Sequence, residues 1–146
     1  MKFPLLLTAV FLLSAFISTA QDWQTDFSKA SELASREHKP IILVFQGSDW
    51  CAPCIRLDRE VWSTETFRDY ARGHFVMLRA DFPRKSKNAL PKEQQEANAK
   101  LAEAYNKNGI FPLVVVLDAN GRVLGKTSYK KMSPDEYIAL LESFKS

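Results

Sequence analysis

Five consecutive apolar residues, Ile41-Ile42-Leu43-Val44-Phe45, constrain this chain more than any other feature. The run is too short for a helix and rich in β-branched side chains, so it reads as a strand. A strand with no polar face needs cover on both sides, as in a sheet held between helices. Leu113-Val114-Val115-Val116-Leu117 is a second such strand, and Phe75 to Asp81 a third.

Helical patterns lie between these strands. Asp26 caps a helix reaching about His38, with Ala30, Leu33, Ala34 and Glu37 on one face, and Pro40 ends it. A helix starts near Cys51, with Pro53 in its first turn, and carries Ile55, Leu57, Val61 and Trp62. A shorter one covers Thr64 to Arg72, with Gly73 as its stop. Pro91 opens a helix to about Asn108 that turns Ala97, Leu101, Ala104 and Tyr105 inward, and Gly109 closes it. Asp118-Ala119-Asn120-Gly121 is a tight turn, after which Arg122 to Gly125 pairs back as a hairpin. Ser133-Pro134-Asp135-Glu136 is a capping box, and the helix it starts carries Ile138, Leu141 and Phe144. Early alternation gives parallel pairing and the late hairpin antiparallel pairing. The predicted fold class is therefore α/β, a mixed central sheet with helices on both faces. Hydrophobic residues at 46% suffice for one domain with a buried core.

The first twenty residues stand apart. Lys2 precedes an uncharged, mostly apolar run from Phe3 to Ile17, and Ser18-Thr19-Ala20 offers small residues for a signal peptidase. Residues 1–20 read as a signal peptide cut after Ala20, leaving 21–146 as the working domain; a retained N-terminal anchor is the alternative. The net charge of +3 is too small to point to nucleic acid. Arg84, Lys85 and Lys87 cluster without interleaved aromatics and read as a solvated loop.

Export means an oxidising compartment, where cysteines usually staple a fold. Here there are only two, Cys51 and Cys54, within one helical turn. A disulfide closing so short a loop constrains the unfolded chain by only ~2 kcal/mol, against ~4.7 for a hundred-residue loop. A metal site would need further ligands, and His38 and His74 have no ligand spacing. Redox chemistry is the reading favoured over both. Cys51 at the helix terminus meets free N–H groups and the helix dipole, which favour its thiolate. A fall in pKa from about 8.5 to about 7 raises the thiolate fraction roughly sixteen-fold, but lowered nucleophilicity leaves about three-fold in attack rate. The larger gain comes when Cys51 leaves.

Trp50-Cys51-Ala52-Pro53-Cys54 resembles the Trp-Cys-Gly-Pro-Cys motif of thioredoxins, and Asp81 and Phe111-Pro112 follow in thioredoxin order. Gly47-Ser48-Asp49-Trp50-Cys51 with Leu57-Asp58-Arg59-Glu60-Val61 resembles exported bacterial thioredoxin-like proteins. The resemblance, over residues 22–146, implies a thioredoxin fold and a thiol–disulfide oxidoreductase. Cys51 would attack and Cys54 resolve; Pro112 would be a cis-proline facing the disulfide. Phe111 would pair with an extended substrate, and Trp50 and Pro53 would rim the sulfurs. The implied partners are disulfide- or thiol-containing exported proteins and a membrane electron donor, with the protein a monomer and no cofactor or metal expected. Proline between the cysteines resembles reducing members. An oxidase or isomerase, or a non-catalytic binding or chaperone-like module, is the alternative. Two departures stand out: Phe45 and Met77 occupy the positions of the family's buried aspartate and its companion lysine, which predicts an apolar floor under the disulfide. The Phe82–Leu90 loop is also longer than in compact thioredoxins.

Overall fold

The computed structural model describes residues 21–145, so the predicted signal segment, 1–20, lies outside the described residues. The expected strands form one sheet, β2 (Ile41–Gln46), β3 (Val76–Asp81), β4 (Leu113–Leu117) and β5 (Val123–Thr127), plus β1 (Trp23–Gln24). Two residues are too few to carry a periodicity, which is why β1 escapes the sequence pattern. The strand order is β1-β3-β2-β4-β5. β1, β3 and β2 run parallel, while β4 pairs antiparallel with β2 and with β5.

Every residue of β2 and β4 is buried, as an apolar run on both faces requires. Alternation divides them between two layers. Ile42, Val44, Val114 and Val116 face Leu57, Trp62, Phe67 and Tyr137. Ile41, Leu43, Phe45, Val115 and Leu117 face Ala30, Ala34 and Leu101. Helices α2 (Ala52–Leu57), α3 (Glu65–His74) and α5 (Pro134–Ser143) cover the first layer; α1 (Phe27–Glu37) and α4 (Lys92–Tyr105) cover the second.

The helix ends differ from expectation in three places. The helix begun at Cys51 stops at Leu57 and continues as a π-helical turn, Asp58–Trp62, which seats Val61 and Trp62 in the core. α3 runs through Gly73 to His74, and the carbonyl of Arg72 accepts a hydrogen bond from Lys39 Nζ at 3.0 Å. α4 ends at Tyr105, because the buried Asn106 side chain pairs with both the N–H and the C=O of Ile110, each at 2.9 Å. Its inner face is Asn98 and Leu101, while Ala97 and Ala104 are exposed. Among the described residues, no helix is long and apolar enough to cross a membrane.

Candidate active site

β2 ends at Gln46, and four residues lead from it to Cys51, the cap of α2. Cys51 is the helix N-cap, its backbone extended and its Sγ accepting the Cys54 N–H at 3.3 Å. Pro53 sits in the first turn, where no N–H is needed. Cys51 and Cys54 are joined by a disulfide with Cα atoms 5.2 Å apart. Each residue is only 4% exposed, so burial does not distinguish them.

Trp50 directly precedes Cys51, and its ring is held from several sides. Its Nε1 donates to the carbonyl of Phe82 at 2.8 Å, and its edge meets Phe111 with centroids 5.4 Å apart. The Arg84 guanidinium lies 3.6 Å from its centroid. Gly47 lies against the indole as well: a Cβ there would collide with it, so the site needs this glycine. Phe111, half-buried, also meets Phe82, and the Phe111–Pro112 bond is cis. Pro112 is buried at the entry to β4, and Pro53 is exposed.

Two aspartates tie the loops around the pair. Asp81 accepts the N–H and hydroxyl of Ser48, at 2.9 and 2.6 Å, and the N–H of Phe82. Asp49 accepts the N–H groups of Arg84 and Lys85, each at 2.9 Å, and the Asn88 side-chain amide at 3.0 Å. These bonds, the Arg84 N–H foremost, hold the Asp49 carboxyl down at about 2. The segment read as a solvated loop is therefore docked. Arg84, Lys85 and Lys87 are all exposed as expected, and Arg84 also finds an aromatic platform in Trp50, distant in sequence.

The expected apolar floor also needs correction. Phe45 faces the layer of α1 and α4, and Met77 the opposite layer. Strand alternation separates them, so they do not form one floor. What adjoins Cys54 is a cavity of about 140 Å³ lined by Gln46, Ser48, Ile55 and Asp58. Gln46, one residue past Phe45, turns toward α2. Ile55 is 46% exposed, as is Ile110 two residues before Pro112. Both lie on chain segments that flank the redox pair. Sequence reasoning gave no role to Asp49, Arg84, Gln46 or Asp58. Asp58 alone carried a readable signal, four residues after Cys54 and so on the same helix face.

Chemically, a dithiol–disulfide pair at a helix N-terminus can accept or give two electrons and two protons. Among the described residues, no group of three or more His, Cys, Asp or Glu side chains could hold a metal ion.

Comparison with known proteins agrees with this geometry. Residues 22–119 match the family model described as thioredoxin-like. The chain is 34% identical over 121 residues to the disulfide bond reductase DsbH of Chlamydia pneumoniae, spanning 83% of this chain and 70% of that one. A solved structure of a DsbH oxidoreductase superposes with a TM-score of 0.79 at 32% identity, covering 86% of this chain and 85% of that one. A disulphide isomerase from Xylella fastidiosa Temecula1 superposes at 0.59 with 25% identity, covering 81% and 87%.

Proposed function

The chain belongs to the thioredoxin-like family and is a thiol–disulfide oxidoreductase; on that premise we propose that it reduces disulfides of exported proteins through Cys51 and Cys54. The observation that carries the reading is the Cys51–Cys54 bond at the amino end of α2, with Cys51 as N-cap. The reducing direction is supported by the likeness to a disulfide bond reductase.

In the reduced protein, the Cys51 thiolate attacks one sulfur of a substrate disulfide. The other substrate sulfur leaves as a thiolate and takes up a proton. Cys54, deprotonated, then attacks Cys51 Sγ; the Cys51–Cys54 disulfide forms and the second substrate thiolate departs. Two electrons pass from the dithiol to the substrate, and a dithiol donor at the membrane restores the pair. Helix N–H groups stabilise the Cys51 thiolate when it attacks and when it leaves. The Cys54 proton leaves through the adjoining cavity, which has room for a few waters and a carboxylate, Asp58, in its wall. Phe111 and Pro112 form one side of the groove in which an extended substrate segment lies, and Trp50 and Pro53 border the sulfurs. Export follows from cleavage after Ala20, which places Gln21 at the mature N-terminus.

The test is the equilibrium of the pair with glutathione. A reductase should poise well below the ≈ −120 mV of a strong oxidant and nearer the ≈ −270 mV of thioredoxin. A potential near −120 mV would make the protein an oxidase. Mass spectrometry of exported protein should find an N-terminal Gln21; a chain still beginning at Met1 would refute export with cleavage.

A further inference from the structure

The loop after β3 sets a positive charge against Trp50, the residue before Cys51, and we propose that Arg84 is a specificity-determining residue that selects disulfides flanked by acidic side chains. This deepens the reductase reading and rests on it. The loop is docked at several points. Asp49 takes its Arg84 and Lys85 N–H groups and the Asn88 amide. The Phe82 carbonyl takes Trp50 Nε1, and the Phe82 ring meets Phe111 with centroids 5.5 Å apart. Arg84 thus occupies a fixed place beside the residue that precedes Cys51.

Its chemistry at that place is unspent. The guanidinium carbon lies over the Trp50 ring, 3.6 Å from its centroid, a contact that spends none of its N–H donors. Among the described residues Arg84 has no salt bridge. The carboxylate beneath the loop, Asp49, already serves main-chain N–H groups and Asn88, so it does not neutralise the side chain. From Phe82 to Leu90 the loop contains Arg84, Lys85 and Lys87 and no acidic residue. Trp50 cannot offer its indole face to a substrate, because Gly47 and Arg84 lie against it. A substrate approaching Cys51 along Phe111 meets a planar cation at this edge, and the group that fits it is a carboxylate, held by paired N–H bonds. Such a pair is exposed, so its contribution is modest and falls with salt.

The experiment uses the mature protein, reduced and freed of reductant, in single-turnover reactions with two synthetic peptides. Each holds one disulfide, flanked by glutamates in one peptide and by lysines in the other. At low salt the glutamate peptide should react faster by roughly two- to fivefold. Arg84→Lys should keep a preference in the same direction, Arg84→Gln should bring the ratio near one, and Arg84→Glu should invert it. Addition of 0.5 M salt should shrink the ratio in the natural protein. A glutamate-to-lysine ratio that is the same in all four proteins overturns the proposal, whatever happens to the absolute rates. Failure of the reduced natural protein to react with either peptide, or with neutral 2-hydroxyethyl disulfide, overturns instead the reductase reading on which it rests.

Discussion

Cys51 and Cys54 are equally covered, yet the two ends of their disulfide sit in different surroundings. Cys51 caps a helix, accepts an N–H, and follows a tryptophan whose ring carries a guanidinium. The cap position and the donated N–H favour a negative sulfur. Cys54 lies in the first turn with no such donor described; it borders a small cavity whose polar walls are Gln46, Ser48 and Asp58. Exposure alone would assign the two sulfurs the same role. On the proposed function, the difference in charge environment suits Cys51 to attack and departure, and Cys54 to a step that first needs a proton removed.

The largest effect comes from removing one end. Cys51→Ser should abolish reduction in an insulin turbidity assay, by about three orders of magnitude or more. Cys54→Ser should instead accumulate substrate-linked protein on non-reducing gels. Accumulation with the Cys51 variant and none with the Cys54 variant would reverse the comparison.

A second effect sharpens the Cys54 side. Asp58→Asn should slow resolution of the mixed disulfide about a hundredfold near neutral pH, the low end of general-base effects. The deficit should narrow as alkali deprotonates Cys54 without help. An equal deficit at every pH would mean that Asp58 acts on structure alone. Phe45→Asp, by contrast, should lower stability by several kcal/mol in urea melts without raising the rate. It would bury a carboxylate in the layer opposite α2.

Smaller effects belong to the Cys51 side. Docking of the 82–90 loop depends on ionised Asp49, whose carboxyl is held at about 2 instead of 3.8. A lowered carboxyl contributes above the unfolded value and loses its contribution as pH falls through the folded one. The Arg84 and Lys85 amides should therefore be protected from hydrogen exchange at pH 5, and the protection should fade between about pH 4 and pH 2. Asp49→Ala should remove it at every pH. Unchanged protection in that variant would show that Trp50 and Phe82 hold the loop unaided.

Much of the fold was legible in the sequence because strands β2 and β4 are apolar without interruption, and such runs admit few folds. The redox pair was legible because its chemistry is local: two cysteines, one turn and one helix start. The parts that were not legible depend on contacts between distant segments. Asp49 looks like a surface acid until Arg84, Lys85 and Asn88 fold over it. Arg84 looks solvated until Trp50 lies beneath it. Phe45 and Met77 stand at positions that the family pairs, but strand alternation sends them to opposite layers. A one-residue step, from Phe45 to Gln46, decides what adjoins Cys54.

The claim that the two sulfurs differ in charge environment is tested most directly by alkylating the reduced protein across pH and locating the label by mass spectrometry. Cys51 should be labelled first, with an apparent pKa below the ordinary ~8.5 of a free thiol, and Cys54 should resist until higher pH. Labelling of Cys54 before Cys51, or of both together with one ordinary pKa, would contradict the account.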